Sequence, residues 1–272
     1  MQKVIELYRH VKNTLAGAGI EEADAEARLI VADGLDMTLG EIFLKGDIKT
    51  AYDPGRILEK RIAGMPLAYA MQKKYFMGFP FYVDESVLIP RQDTEILADE
   101  ALSLIREKGY GSALDLCCGS GCVGIAVERI SGIRVLGSDI SEEAVYVANK
   151  NAKLLGTENY RAIVSDLFQN IDSKWDMIVC NPPYVTEDEY DALDKQVRDC
   201  EPRLALVGNL YFYEKIAADA AAYLNRGGAL AFEIGCSQRN DVWAILQKNN
   251  FENIRCRRDL AGRHRVMVCT IN

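Results

Sequence analysis

Apolar residues recur at helical spacing from the start of the chain. Val4, Leu7, Tyr8, Val11 and Leu15 make one stripe, and Ala25, Leu29, Ile30, Ala32 and Leu35 make a second after the acidic pair Glu21 and Glu22. Residues 1–65 are therefore expected to form a small helical domain. The pattern changes near residue 66, where "AYAMQKKYFMGFPFYV" gathers aromatics around Gly78 and Pro80 and predicts two short strands and a turn, a β-hairpin connector over 66–90. From about residue 95, apolar segments at 113–116, 133–136, 162–164, 177–180 and 229–232 are separated by helix-like stretches such as 142–155 and 213–224. Alternation of this kind predicts a mostly parallel sheet with helices on both faces. Two last segments, 253–256 and 266–271, have no helix between them and predict an antiparallel close. The expected fold is α/β, with a doubly wound, seven-stranded, mostly parallel sheet in a domain over 91–272, preceded by the hairpin and the helical domain.

Composition narrows the function classes. Hydrophobic residues are 49% and charged residues 26%, with no apolar run near the roughly 18 residues a membrane span needs and no basic leader with an apolar core. A cytoplasmic protein without a membrane partner is expected. The eight cysteines (117, 118, 122, 180, 200, 236, 256, 269) form no C-x-x-C pair and only His10 and His264 could join them, so no metal site is expected. Several of these cysteines lie in apolar runs and read as small hydrophobes. With 32 basic against 40 acidic residues and a net charge of −8, direct grip on a nucleic-acid backbone is not expected.

The first sheet segment runs into its turn as "SALDLCCGSGCVGIAV". Asp115 stands near the strand end, Cys117, Cys118, Gly119, Ser120 and Gly121 form the turn, and a helix is expected from Cys122. Asp139 ends the second strand in "RVLGSDIS", where a carboxylate can accept from both ribose hydroxyls, and Ser141 suits a helix N-cap. Asp166 in "VSDLF" ends the third, placed to meet an adenine amino group with Leu167 or Phe168 against the ring. An adenosine-containing cofactor fits this set. Asp115, four residues before Gly119, would repel a pyrophosphate and attract a cation such as the amino group of a methionine moiety. S-adenosylmethionine therefore fits the charges better than NAD.

The fourth strand ends as "DMIVCNPPYV". Asn181 and two prolines cannot continue a central strand, so a polar amide, a rigid backbone and an aromatic ring are presented at the sheet edge. The Asn181 side-chain oxygen and the Pro182 carbonyl are two fixed acceptors suited to an NH2 group, with Pro183 stiffening the turn and Tyr184 able to lie over a planar group. Such a site would work by orientation and electrostatics rather than by a strong base.

These residues carry a resemblance. The Asp-x-x-x-Gly-x-Gly turn, Asp139 and Asn-Pro-Pro-Tyr together resemble class I methyltransferases that act on planar amino or amide nitrogens, both N6-adenine DNA methyltransferases and glutamine methyltransferases. "PLAY", "FMGFPFYVDESVLIPRQDTEIL", "EPRLAL", "FEIG" with Gln238, and "DLAGRHRVMV" resemble the protein-(glutamine-N5) methyltransferases of peptide-chain release factors, over nearly the whole chain. The resemblance implies that Asn181 and Pro182 hold the glutamine amide of a Gly-Gly-Gln motif, that Tyr184 packs over it, and that Pro90, Arg91 and Thr94 help close the cofactor pocket. Arg91 could instead be a surface partner of Asp93 or Glu95, and Tyr211, Phe212 and Tyr213 read as core. A glutamine methyltransferase of a ribosomal protein is a close alternative; a nucleic-acid adenine methyltransferase is disfavoured by the acidic balance. Two departures stand out. Cys117 takes the first place of the usual Gly-x-Gly-x-Gly run, suggesting a position that tolerates a small side chain. "NLYFYEKI" follows "LALVG" where the family usually has Gly-x-Asp-Gly-Leu.

Overall fold

The computed structural model describes residues 1–272, which divide into two units, Met1–Gln72 and Lys73–Asn272. In the first, the helix Val4–Gly17 buries Val4, Leu7, Tyr8, Val11 and Leu15, the stripe its spacing predicts. The next helix, Ala23–Gly34, buries Ala23, Ala27, Ile30, Val31 and Ala32. Ala25 and Leu29, expected on that stripe, face solvent instead, because residues at positions 23, 27, 30 and 31 share one side of a helix and 25 and 29 stand on the other. Residues 67–71 are also not strand. Leu67–Met71 is a short helix opened by Pro66 and closed by Gln72 in the left-handed conformation, so the hairpin is confined to the antiparallel pair Lys74–Phe76 and Phe79–Phe81 of the second unit.

The second unit is built on seven strands: β1 (Ser112–Leu116), β2 (Arg134–Asp139), β3 (Tyr160–Val164), β4 (Trp175–Cys180), β5 (Leu224–Glu233), β6 (Glu252–Arg258) and β7 (His264–Thr270), in the order β6-β7-β5-β4-β1-β2-β3. Contacts among β3, β2, β1, β4 and β5 are parallel, and β7 runs antiparallel between β5 and β6. Both faces are covered, and every strand but the edge strand β6 splits its side chains between two cores with the period of two that a pleated strand imposes. Ala113, Met177, Val179, Ala229, Ala231, Val266 and Val268 pack on one face beneath α1 (Glu95–Lys108), α2 (Cys122–Ser131) and α3 (Glu142–Leu155). Leu114, Leu116, Ile178, Cys180, Leu230, Phe232, Met267 and Cys269 pack on the other beneath α4 (Tyr211–Tyr223) and α5 (Arg239–Lys248).

Register places the site. Leu116 pairs with both Ser138 and Cys180, Asp139 with Val164, and Cys180 with Phe232, so the parallel strands end at one level and their following loops emerge from one edge. One buried amide ties this edge to the segment after the hairpin. Asn151, fully buried on α3, donates to the carbonyls of Ser120 and Tyr82, both at 2.9 Å, and accepts from the Tyr82 N–H at 2.7 Å. Asn151→Ala removes all three bonds and is expected to lower unfolding free energy by about 3 kcal/mol, from buried groups costing about 1–3 kcal/mol each when left unmade. Denaturant unfolding showing a loss below about 1 kcal/mol would mean that water replaces the amide without strain.

Candidate active site

The loops at the carboxyl edge of the sheet wall a cleft with an empty volume of about 1130 Å³, its open mouth included. That is ample for a small-molecule site. Asp115, Cys117, Cys118, Gly119, Ser120, Asp139, Asp166, Leu167, Asn181, Pro183, Pro90, Arg91 and Thr94 line it. Gly121, Pro182 and Tyr184 adjoin lining residues in the chain without lining it themselves. The turn after β1 is made by left-handed backbone at Cys117, Gly119 and Gly121, with φ of 55°, 51° and 77°. Its N–H groups are put to use at once. Gly119 donates to one oxygen of Asp139 at 2.9 Å and Ser141 to the other at 3.0 Å, so the carboxylate at the end of β2 is fixed by main chain with accepting capacity left on each oxygen. Burial pushes the Asp139 pKa up and those N–H groups oppose the rise. Asp115 is more deeply set. Burial pushes it up to about 7, against the N–H of Gly124 at 2.9 Å, and the nearby charge of Asp139 adds to the rise.

β4 stops at Cys180, and Asn181 follows at the cleft wall. The Asn181 Nδ2 donates to the Thr94 hydroxyl oxygen at 3.3 Å, which leaves the side-chain Oδ1 as the acceptor available to a ligand. The loop behind it is clamped. Gln238 Nε2 donates to the Tyr184 carbonyl at 2.9 Å, while Gln238 Oε1 accepts from the Gly235 N–H at 3.0 Å and the Tyr213 hydroxyl at 3.3 Å. The Tyr184 hydroxyl donates to Glu233 Oε1 at 3.3 Å; burial first, then the Glu233 charge, raises the phenol pKa far above its usual range.

Other expectations are sharpened or corrected. Leu167, not Phe168, meets the cleft: Phe168 is buried and stacked on Tyr223 with ring centroids 4.4 Å apart. Asp166 lies in the turn beyond β3, which ends at Val164. Arg91 pairs with neither Asp93 nor Glu95. Its Nη2 meets Glu201 Oε1 at 2.5 Å, and the other oxygen of the buried Glu201 accepts the Ile89 N–H at 3.1 Å, so the "IPRQDT" and "EPR" segments are stapled together across the mouth. Of the three aromatics opening α4, only Tyr213 is core; Phe212 lines the cleft and Tyr211 is 56% exposed. Gln238 was legible as part of a motif. Glu201 and Asn151 had weaker signals, an acid before a proline and an amide on an apolar helix stripe.

Comparison with known proteins follows this geometry. The family profile "Methyltransferase small domain" matches residues 94–225 and "PrmC N-terminal domain" matches 6–71. A release factor glutamine methyltransferase of Fusobacterium nucleatum is 43% identical over 209 residues, 75% of this chain and 59% of that protein. One of Agrobacterium fabrum is 34% identical over 273 residues, covering 94% of this chain and 93% of that protein. The chain belongs to the release factor glutamine methyltransferases. A solved 16S rRNA N2 G1207 methyltransferase of T. thermophilus shares the fold, with a TM-score of 0.54 at 16% identity over 74% of this chain and 50% of that one.

Within this family the two departures have structural readings. Position 117 asks for left-handed backbone rather than for a small side chain, and cysteine meets it at a cost of about 1 kcal/mol. In the divergent "NLYFYEKI" segment Asn209 takes the left-handed conformation, with φ of 52°, and the N–H groups of Gly208 and Asn209 both reach the Val185 carbonyl, at 3.1 and 3.3 Å. Gly208 is the residue that the sequence reading missed. A Cβ there would sit 2.2 Å from the Pro183 carbonyl oxygen and 2.6 Å from the Phe212 ring, so its absence lets this segment press against the Asn-Pro-Pro-Tyr loop. Gly208→Ala is expected to displace that loop and lower kcat by about 10²-fold, the scale of a misplacement near 1 Å, while the fold survives. A variant with wild-type kcat would show that the loop yields without consequence.

Proposed function

We propose that this chain transfers the methyl group of S-adenosylmethionine to the side-chain nitrogen, N5, of the glutamine in the Gly-Gly-Gln motif of peptide-chain release factors. The observation that carries the reading is the Asn181 amide at the cleft wall, with its donor engaged by Thr94 and its acceptor free. The residues fit the cofactor. Asp115, Asp139 and Asp166 line one cleft, whose single lining cation, Arg91, is held by Glu201, so the site suits a cationic ligand and is hostile to a pyrophosphate. Asp139 would take the ribose hydroxyls, Leu167 the adenine ring, Asp166 its amino group, and Asp115 the ammonium end. When bound, the cofactor supplies an electrophilic methyl carbon on a positively charged sulfur.

The protein's part is orientation. A primary amide nitrogen is a poor nucleophile because its lone pair is delocalised into the carbonyl. Asn181 Oδ1 and the Pro182 carbonyl would accept one N–H each, fixing the amide plane so that nitrogen density faces the methyl carbon along its normal. The amide nitrogen would gain the methyl carbon as that carbon leaves sulfur, which becomes a neutral thioether, and would release one of its two protons to water at the open mouth of the cleft, leaving a neutral secondary amide. Tyr184, fixed at its carbonyl and its hydroxyl, backs the loop that presents both acceptors.

The first unit would hold the protein substrate. Leu39, Phe43, Leu44 and Ile48 lie within one short stretch of it and are 47, 49, 86 and 50% exposed, an apolar patch suited to contact with a release factor outside its Gly-Gly-Gln loop. No helix is long and apolar enough to cross a membrane, and with a translation factor as substrate the reaction would run in the cytoplasm.

Incubation with methyl-labelled S-adenosylmethionine and, separately, a release factor, a ribosomal protein and DNA tests the reading. Label is expected on the release-factor glutamine; label on the ribosomal protein or DNA alone would redirect it. Asn181→Ala should keep cofactor affinity and lower kcat by about 10² to 10³, the scale of one preorganised polar group. Unchanged single-turnover rates would reduce Asn181 to a strand terminator. Leu44→Asp should raise KM for the release factor about tenfold, as loss of an apolar anchor does, with kcat and cofactor affinity unaltered; an unchanged KM would remove the patch from the interface.

A further inference from the structure

We propose that Thr94 and Glu233 act as a positioning pair that locks the Asn181 side-chain amide with its oxygen toward the substrate. The inference rests on the reading above and carries the Asn181–Thr94 bond one step further, to the group that fixes the Thr94 hydroxyl proton. A terminal amide is nearly symmetric in shape, and a half-turn exchanges its donor and acceptor ends. In the turned state Asn181 would offer an NH2 group to the glutamine NH2 and bind nothing. Some group must therefore hold the donor end.

Thr94 is that group, and its own hydrogen bonding shows how. It occupies the N-cap of α1, where a threonine hydroxyl ordinarily accepts from the first-turn N–H groups, yet its side chain caps nothing. The hydroxyl, 2% exposed, instead accepts from Asn181 Nδ2 at 3.3 Å. A hydroxyl oxygen is a reliable acceptor when its proton is committed elsewhere. Glu233, the last residue of β5, faces Thr94 and is 2% exposed. Its Oε1 accepts from the Tyr184 hydroxyl, and its Oε2 is a buried oxygen to which no hydrogen bond is made, so it is open to take the Thr94 proton. With the Thr94 proton directed to Glu233, the Thr94 lone pair is left for Asn181, and the turned amide would set Oδ1 against that oxygen. Glu233 does not line the cleft, so it acts through Thr94 and not on substrate.

The groups that face Glu233 come from every neighbouring element. They are Thr94 and Asp93 before α1, Cys122 at the start of α2, Tyr184 after β4, Tyr213 on α4 and Arg265 on β7. Arg265 is engaged by Asp93 at 2.9 Å and Asp259 at 3.1 Å and makes no ion pair with Glu233. Burial raises Glu233 up to about 7, against the two hydroxyls and Arg265. The carboxylate is the locking form. Once protonated, Glu233 would donate to the Thr94 oxygen and compete with Asn181, so kcat should fall as pH drops through about 7.

The test uses the full chain carrying Glu233→Gln, Thr94→Val or Thr94→Ser, with a release factor as substrate. Glu233→Gln and Thr94→Val are expected to lose 10- to 100-fold in kcat, Thr94→Ser to stay within about threefold, and the acid limb of the wild-type pH profile to vanish in Glu233→Gln. A second readout is independent of turnover: the Asn181 side-chain amide protons should exchange slowly with solvent in wild type and Thr94→Ser and rapidly in Thr94→Val. Wild-type kcat and an intact acid limb in Glu233→Gln would overturn the proposal. Should that variant not fold, equal kcat and equal exchange for Thr94→Val and Thr94→Ser would overturn it. An inactive wild type with slow Asn181 exchange would instead sink the functional reading on which the pair depends, and the pair's purpose with it.

Discussion

The site depends on one constraint: a side-chain amide can offer its oxygen to a ligand only if its own NH2 is held and the backbone beneath it does not move. Cys180 is wholly buried and in register with Leu116 on one side and Phe232 on the other, so the loop leaves the sheet from a fixed point. Two prolines then remove the N–H groups that would let the strand continue. What remains is held from three directions. Gln238 takes the Tyr184 carbonyl, the Val185 N–H reaches the Leu206 carbonyl at 2.9 Å, and the bare backbone of Gly208 fills the space under Pro183. Remove any one and the acceptors at Asn181 and Pro182 lose their mutual geometry, on which the proposed orientation of the glutamine nitrogen rests.

The same edge concentrates negative charge. Asp115 and Glu233 are both 2% exposed and Asp139 is part-buried, each raised in pKa by burial. Main-chain N–H groups from Gly124, Gly119 and Ser141 offset part of the cost for the two aspartates. No lysine or histidine lines the cleft, and Arg91 is committed to Glu201. A cleft in which burial raises Asp115 and Asp139 and which withholds cations is prepared for a ligand that brings its own positive charge, which would favour their ionised forms.

The local parts of this arrangement were legible in the sequence. Period-two alternation and short apolar runs gave all seven strands of the sheet, and Asp115, Asp139 and Asn181 stood out because a polar residue at the end of an apolar run has no structural reason to be there. What was not legible depends on distance along the chain. The Asn181–Thr94 bond spans 87 residues and the Arg91–Glu201 pair 110, and nothing local to Arg91 distinguishes a partner at 201 from one at 93 or 95. Gly208 looked like any loop glycine until Pro183 was found against it. The second helix misled for a different reason: with alanines on both sides, its apolar pattern did not choose between the faces that Ala23 and Ala25 begin.

The turn after β1 shows how a family pattern can be broken without breaking the site. Cys117, Gly119 and Gly121 all take left-handed backbone, but they do not need glycine for the same reason. A Cβ at Gly121 would lie 2.8 Å from the Tyr160 hydroxyl and 3.1 Å from Ala148, so that position requires empty space as well as conformation. At 117 the demand is conformational, and the strain of about 1 kcal/mol is one that contacts can offset. The Cys117 side chain packs against the core that holds Leu116 and Cys180, gaining apolar contact that glycine lacks. The backbone N–H groups that serve Asp139 depend on the path of the turn and not on the side chain at 117, and so the turn keeps its path, and its bond to Asp139, with a cysteine in its first place.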